Sequence, residues 1–481
     1  MPLLFAGFLP LLPLIVLAGG SVGILLVTTF VHDRRPTTVL ALATYAASLL
    51  SLVIILPHLP ASCTGLFHLD RASALSSGLI LFASLCITVL AHPYFRLQEL
   101  PQGEFTLLLM LATLGGLVLA ASSHFASLFL GVELIGIPLS AMAAHLRHRV
   151  RSIEAGFKYL VLSGVSSAAL LFGIALLYAE TGTLSFDALR NHLAHPAALP
   201  PLMHFGLSLL IAGLGFKLAV VPFHYWAPDV YEGAPAPATM FASTVSKAAV
   251  ITVLLRILPP GSAAGDRFLF IAFAVLSVLS MTVGNLLALR QRNMKRMLAY
   301  STVAHNGYLL VAFLSSGPLA PAAVLLYLLA EVIAHIAAFG VVTLLSDRDG
   351  DADDLDDYAG LSWRRPWTAA VFSAALLSLL GLPLTAGFIS KFTIAAAGLG
   401  SAQLALVILL VLNTVIGAYY YLRVIMTMFL GPDEMRVGAI RHAAHRLPAA
   451  AVLVVLAQAA LLLWIGTAPQ FFVRMIRTVL P

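Results

Sequence analysis

Runs of about 20 apolar residues recur from one end of the chain to the other, with most of its charged residues in the short stretches between them. At 1.5 Å per residue, such a run matches the roughly 30 Å hydrocarbon core of a bilayer, so the pattern predicts membrane-spanning helices. About fourteen spans are expected, near residues 8–30, 37–57, 74–93, 105–122, 125–144, 157–180, 204–222, 237–257, 268–288, 298–315, 320–345, 367–397, 403–430 and 448–473. Two of them are irregular. The twelfth, at about 31 residues, is too long for one crossing, and Gly381, Pro383 and Gly387 supply a break inside it. The seventh is broken by Pro222, and a short polar loop with His224, Asp229 and Glu232 is expected to follow. Gly/Pro-interrupted segments at comparable places in two halves are a mark of inverted-repeat transporters. The expected fold is therefore an all-α integral membrane protein. It has three N-terminal helices (1–104), two inverted five-helix repeats with one broken helix each (spans 4–8 at 105–257 and spans 9–13 at 258–430), and a C-terminal loop and helix (431–481).

Composition agrees. Of 481 residues, 60% are hydrophobic and 10% charged, where a soluble chain would be about a quarter charged. The mean hydropathy is +0.98. The net charge of +6 fits basic loops on one side of a membrane, and no basic patch is interleaved with aromatics as nucleic-acid binding would require. Of the 27 Lys and Arg residues, seventeen lie in loops after odd-numbered spans and six in the others. By the positive-inside rule this puts the odd-numbered loops in the cytoplasm and both termini in the periplasm. The apolar N-terminus has no basic residue before Arg34, so a first retained helix is expected instead of a cleaved signal peptide.

Ionisable residues inside spans are costly, and they mark ion or proton paths by default. Three of the chain's lysines, Lys217, Lys247 and Lys391, fall inside predicted spans, as do Glu133, His305, Glu331 and His335. Counting residues from the span ends places Glu133, Lys217, Lys247, His305, Glu331 and His335 near one depth, as lateral proton transfer would need. Glu133 and Lys217 are the expected partners, either as a switch that makes the lysine hold or release a proton or as a static ion pair. Lys247 and Lys391 have no equally plain acidic partner. His305 suits a relay between them or a packing role. Glu331 and His335 are spaced i, i+4, for a relay or a local pair. His224, Asp229 and Glu232 suit proton entry or helix capping. The acidic run 347–358 is read as a solvated loop, since it lacks the spacing of a calcium-binding loop. Cys63 and Cys86 match no metal or redox spacing. No phosphate-cradling loop, dinucleotide fingerprint, cysteine cluster or haem motif is present, so no redox or nucleotide site is expected in this chain.

Five stretches carry a resemblance: VELIGIPLSAM around Glu133, EAGFKYLVLSG at 154–164, GFKLAVVPFHYWAPDVYEGAPAPATMFASTVSKAA, NMKRMLAYSTVAHNGYLL and GLPLTAGFISKF. Together they resemble the N-type subunits of proton-translocating NADH–quinone oxidoreductase, bacterial respiratory complex I. The related M and L subunits carry a histidine-containing segment where this chain has STVSK. The resemblance implies Glu133 and Lys217 as a switching pair, Lys247 as central relay, Lys391 as terminal proton donor or acceptor, and His305 as the family's histidine. Glu331 and His335 depart from the family's pattern. It also implies a place in the bacterial inner membrane, with subunits K and M as neighbours and the lateral helix of subunit L as a further contact. NADH, FMN, iron–sulfur clusters and quinone would be handled by other subunits. A subunit of a multisubunit monovalent cation/proton antiporter is the alternative, weakened by the context of Lys247 and by the DVYEGAP segment.

Overall fold

A computed structural model of the chain describes residues 8–30, 34–194, 199–348, 350–431 and 447–479. Arg436, Arg441 and Arg446, three of the arginines in the loop count, lie outside the described residues. The main helices are α1 (Leu12–Phe30), α2 (Arg34–Ile55), α3 (Arg71–Leu97), α4 (Gln102–Ala121), α5 (Phe125–Ala143), α6 (Val150–Thr181), α7 (Phe186–Ala194), α8 (Pro201–Lys217) and α9 (Trp226–Gly233). After them come α10 (Ala236–Ile257), α11 (Arg267–Ala288), α12 (Met294–Leu314), α13 (Leu319–Leu345), α14 (Pro366–Leu380), α15 (Ala386–Gly400), α16 (Leu404–Met428), α17 (Ala449–Thr467) and α18 (Pro469–Val479). Among the described residues the sheet content is one antiparallel hairpin, β1 (Ala61–Cys63) with β2 (Phe67–Leu69), in which Ala61 faces Leu69.

Among the described residues twelve helices are long and apolar enough to cross a membrane, and α8, α14 and α15 are shorter apolar helices. The chain is thus an all-helical, multi-pass membrane protein. Burial sorts the helices. The most apolar windows of α10, α12 and α13 are each 94% buried, against 22% for the first span, Leu9–Phe30. These three central helices bear Lys247, His305, Glu331 and His335.

Both expected breaks are present, with corrected boundaries. α8 stops at Lys217, before Pro222 is reached, because Ala219 turns into the left-handed region with φ 54°. The segment after it is no polar loop. Trp226–Gly233 is a buried helix, α9, packed on α6 and α12. Side chains satisfy the backbone groups that this break leaves open. Trp226 Nε1 donates to Phe216 O at 2.8 Å, Asn306 Nδ2 donates to Leu218 O, and Ser280 Oγ accepts from Val221 N at 2.9 Å. A break at membrane depth needs such partners. Within α10, residues 242–246 form a π-helical turn directly before Lys247, a distortion often found at functional sites. The second break follows Gly381, whose φ of 87° ends α14. Gly387 then lets α15 approach so closely that a Cβ there would lie 1.7 Å from Ser378 O.

Candidate functional site

At Lys217 the expected partners make no direct contact, although Glu133 remains the charged group that acts on Lys217. Lys217 Nζ donates to Ser163 Oγ at 2.6 Å, and Ser167 Oγ donates to Glu133 Oε1. Among the described residues no ion pair joins Glu133 to Lys217. The reason is that α6 packs against both α5 and α8. Its two serines, one helical turn apart, hold the carboxylate and the ammonium separately. The ammonium lies 5.7 Å from the Tyr159 ring centroid. Gly136 leaves it room, since a Cβ there would lie 3.0 Å from Nζ.

Lys247 does have an acidic partner. Its Nζ contacts Glu331 Oε1, with the two side chains 3% and 2% exposed. This overturns the expectation of an unpaired lysine. Glu331 Oε2 is buried without a hydrogen-bond partner. His335, one turn on, pairs with the backbone and not with the carboxylate. Its Nδ1 lies 2.9 Å from Glu331 O, and its Nε2 lies 2.9 Å from Thr302 Oγ1. His305 stands between two phenols. Its Nδ1 is 2.7 Å from the Tyr327 hydroxyl and its Nε2 is 3.2 Å from that of Tyr421, while Glu331 Oε1 is 3.9 Å from Nδ1.

Lys391 reaches back across the second break. Its Nζ donates to Leu379 O at 2.9 Å and to Leu380 O at 3.0 Å, and it lies 4.7 Å from the Tyr308 ring centroid. Those carbonyls end α14, where the helix dipole favours a cation. A small cavity, of the order of one water molecule, is lined by Lys391, Glu331, His305 and Ser390. The structure thus joins Lys247, Glu331, His305 and Lys391 into one buried group. It places Lys217 and Glu133 in another, with Tyr159, Trp226, Tyr231, Phe339 and His335 in successive ring contact between the two.

His224 is buried, with Nδ1 unpartnered and its ring against Tyr225. Among the described residues no hydrogen bond or ion pair joins it to the lysine row. Asp229 and Glu232 are neither caps nor free. Asp229 pairs with Arg296 at 2.7 Å and Lys158 at 3.0 Å, and Glu232 pairs with Arg296 at 2.8 Å and Arg151 at 3.3 Å. Among its described residues the acidic run is likewise only partly solvated, with Asp347, Asp351 and Asp357 buried. Asp351 is buried against Lys295 at 2.6 Å and accepts from the Tyr94 hydroxyl at 2.6 Å, and Lys295 also donates to Ala234 O at 2.9 Å. That clamp holds the turn between α9 and α10 to α12 and α3. Sequence reasoning missed this clamp, the two serines of α6 and the phenols around His305. One signal was available: Tyr327, Glu331 and His335 repeat at i, i+4, i+8, and so share one face of α13.

Among the described residues no three His, Cys, Asp or Glu side chains gather as a metal site would need. Residues 122–417 match the family model for the membrane domain of NADH:quinone oxidoreductase and Mrp antiporters. NADH-quinone oxidoreductase subunit N of Ectopseudomonas mendocina is 44% identical over 427 residues, which are 87% of this chain and 86% of that one. A chain of respiratory complex I from Thermus thermophilus superposes with a TM-score of 0.82 at 32% identity, over 96% of this chain and 98% of that one. A chain of the Mrp complex from Dietzia sp. shares the fold, with a TM-score of 0.85 at 21% identity over 98% of this chain and 96% of that one. The chain belongs to the family of NADH-quinone oxidoreductase N subunits.

Proposed function

We propose that this chain is a membrane-arm subunit of a proton-pumping NADH–quinone oxidoreductase and carries protons through its buried row of ionisable groups. The observation that supports this most is the convergence of Glu331, His305 and Lys391 on one small cavity at the second helix break, with Lys247 in contact with Glu331. Buried charge of this density costs stability and is retained where it moves ions. In this reading Lys217 and Glu133 form the switching end, with Ser163 and Ser167 between them, Lys247 is the central relay, and Lys391 is the terminal group. His305, Glu331 and His335 lie along the relay, and His224 belongs to the region of proton entry. NADH, FMN, iron–sulfur clusters and quinone act in other subunits, and this chain contributes translocation rather than redox chemistry.

We further propose that α8 is a span of its own and that α14 and α15 make up another, which gives fourteen spans. Residues 1–104 would form the N-terminal helices, 105–257 and 258–430 the inverted repeats, and 431–481 the C-terminal part. Both termini then face the periplasm of a bacterial inner membrane, with subunits K and M as neighbours and the lateral helix of subunit L alongside. Moving a proton outward against 100 mV costs about 2.3 kcal/mol, so the row must not open to both sides at once. The aromatic contacts between the Lys217 and Lys247 groups suit such a barrier.

The test compares the wild-type complex with Lys217→Ala in sealed vesicles, following NADH-driven quinone reduction and proton uptake after assembly is checked. Loss of both in an assembled complex is expected. Unchanged turnover with unchanged proton yield would leave Lys217 a structural group. A monovalent cation/proton antiporter subunit has the same fold, and proton movement that needs sodium but not NADH would favour that reading.

A further inference from the structure

We infer that Glu331 is the group that carries the proton between Lys247 and Lys391, across a cavity that His305 helps to wall. This deepens the proposed function and rests on it.

The carboxylate of Glu331 has two different sides. Oε1 meets Lys247 Nζ, while Oε2 is buried with no hydrogen-bond partner. Buried carboxylate oxygens are almost always hydrogen-bonded, and an orphan calls for an explanation. Here Glu331 also lines the cavity it shares with Lys391, Ser378 and Ser390. A cavity of that size, with Glu331 and Lys391 both on its otherwise largely apolar wall, has room for one bridging water. On the far side Lys391 Nζ is held by the carbonyls of Leu379 and Leu380, a place prepared for an ammonium.

His305 is placed differently. A neutral imidazole has one donor and one acceptor nitrogen. Both of its nitrogens face phenols, Tyr327 at 2.7 Å and Tyr421 at 3.2 Å, and Tyr421 in turn contacts Ser301 Oγ. At 3.9 Å, His305 Nδ1 lies outside hydrogen-bond range of Glu331 Oε1. Its ring, held by two tyrosines, forms part of the cavity wall beside the carboxyl.

The transfer balances as follows. Lys247 ammonium gives a proton to Oε1, leaving an amine and a neutral carboxylic acid. Rotation of the carboxyl turns the O–H toward the cavity. The acid gives its proton to a water there, and that water gives one of its own to Lys391 amine. Lys391 becomes an ammonium, the water is restored, and Glu331 returns to carboxylate.

The test uses the whole complex in sealed vesicles with Glu331→Gln, Glu331→Asp and Lys217→Ala. Loss of a general acid–base step slows transfer by about 10²-fold or more, so proton uptake in Glu331→Gln is expected to collapse and Glu331→Asp to restore part of it. Infrared difference spectra taken during turnover read the chemistry directly. A carboxylic C=O band is expected in the wild type, shifted in Glu331→Asp and absent in Glu331→Gln. A static counter-ion stays ionised and gives no such band. Should Glu331→Gln fail to assemble, the comparison of wild type with Glu331→Asp decides alone, and a carboxyl signal identical in the two overturns the inference. Wild-type proton uptake in Glu331→Gln alongside loss in Lys217→Ala sinks the role of Glu331 and leaves the proposed function standing. Wild-type uptake in both overturns the proposed function itself.

Discussion

Replacing Asp351 by alanine should loosen the subunit far more than its place in an acidic run suggests. Asp351 and Lys295 are 3% and 2% exposed and 2.6 Å apart, and Asp351 also accepts from the Tyr94 hydroxyl at 2.6 Å. Without the carboxylate, the Lys295 ammonium loses its direct ion pair and keeps the carbonyl of Ala234 and the more distant Asp353. Removing one partner of such a buried pair costs about 3–5 kcal/mol, whereas replacing both by apolar groups is often close to neutral. The exposed pair Arg147–Glu104, with side chains 78% and 52% exposed, serves as the internal control, and such pairs contribute about 0–1 kcal/mol. The assay is the thermal midpoint at which the subunit leaves the detergent-solubilised complex. It is measured for Asp351→Ala, Lys295→Met, the double variant Lys295→Met/Asp351→Leu, and Arg147→Ala. The expected order is a large fall for each single clamp variant, partial recovery in the double variant, and little change for Arg147→Ala. If Asp351→Ala shifts the midpoint no more than Arg147→Ala, the clamp argument is wrong.

Gly387→Ala drives a Cβ into the Ser378 carbonyl, and overpacking against backbone costs about 1–3 kcal/mol or more. Gly164, with open space around its Cβ position, should tolerate the same change, and equal thermal midpoints for the two variants would refute the close approach of α14 and α15. Asp70 gives a pH dependence. Burial pushes its carboxyl up, but Arg256 at 2.9 Å and hydrogen bonding from Ser73 more than offset this and hold it below the usual range. A depressed folded value means that the stabilisation is present above about pH 4 and is lost as pH falls through the lowered value. The gap in thermal midpoint between wild type and Asp70→Asn should therefore close below about pH 4, and a gap unchanged across that range would contradict it.

Much of this architecture was legible from local pattern, because a bilayer permits few backbone solutions. A spanning segment must be apolar and must satisfy its own hydrogen bonds, so run length and Gly/Pro interruptions located the helices and both breaks. The same physics marked Lys217, Lys247 and Lys391, since charge in an apolar run is conspicuous wherever it sits. Two local details were misread. Pro222 drew attention from the true end of α8 at Lys217, and the polar letters around Asp229 hid a buried helix whose charges face Arg296, Lys158 and Arg151.

The partners of the charges were decided only by tertiary packing. Sequence order suggested Glu133 for Lys217, yet α6 comes between α5 and α8 and offers Ser163 and Ser167 instead. Nothing near Lys247 in the chain announces Glu331, 84 residues away, and nothing near Lys295 announces Asp351. Apolar periodicity records which residues enter the membrane, because each run is tested against lipid by itself. It does not record which helix lies beside which. That depends on small-residue contacts such as Gly387 on Ser378, whose effect exists only once both helices are in place.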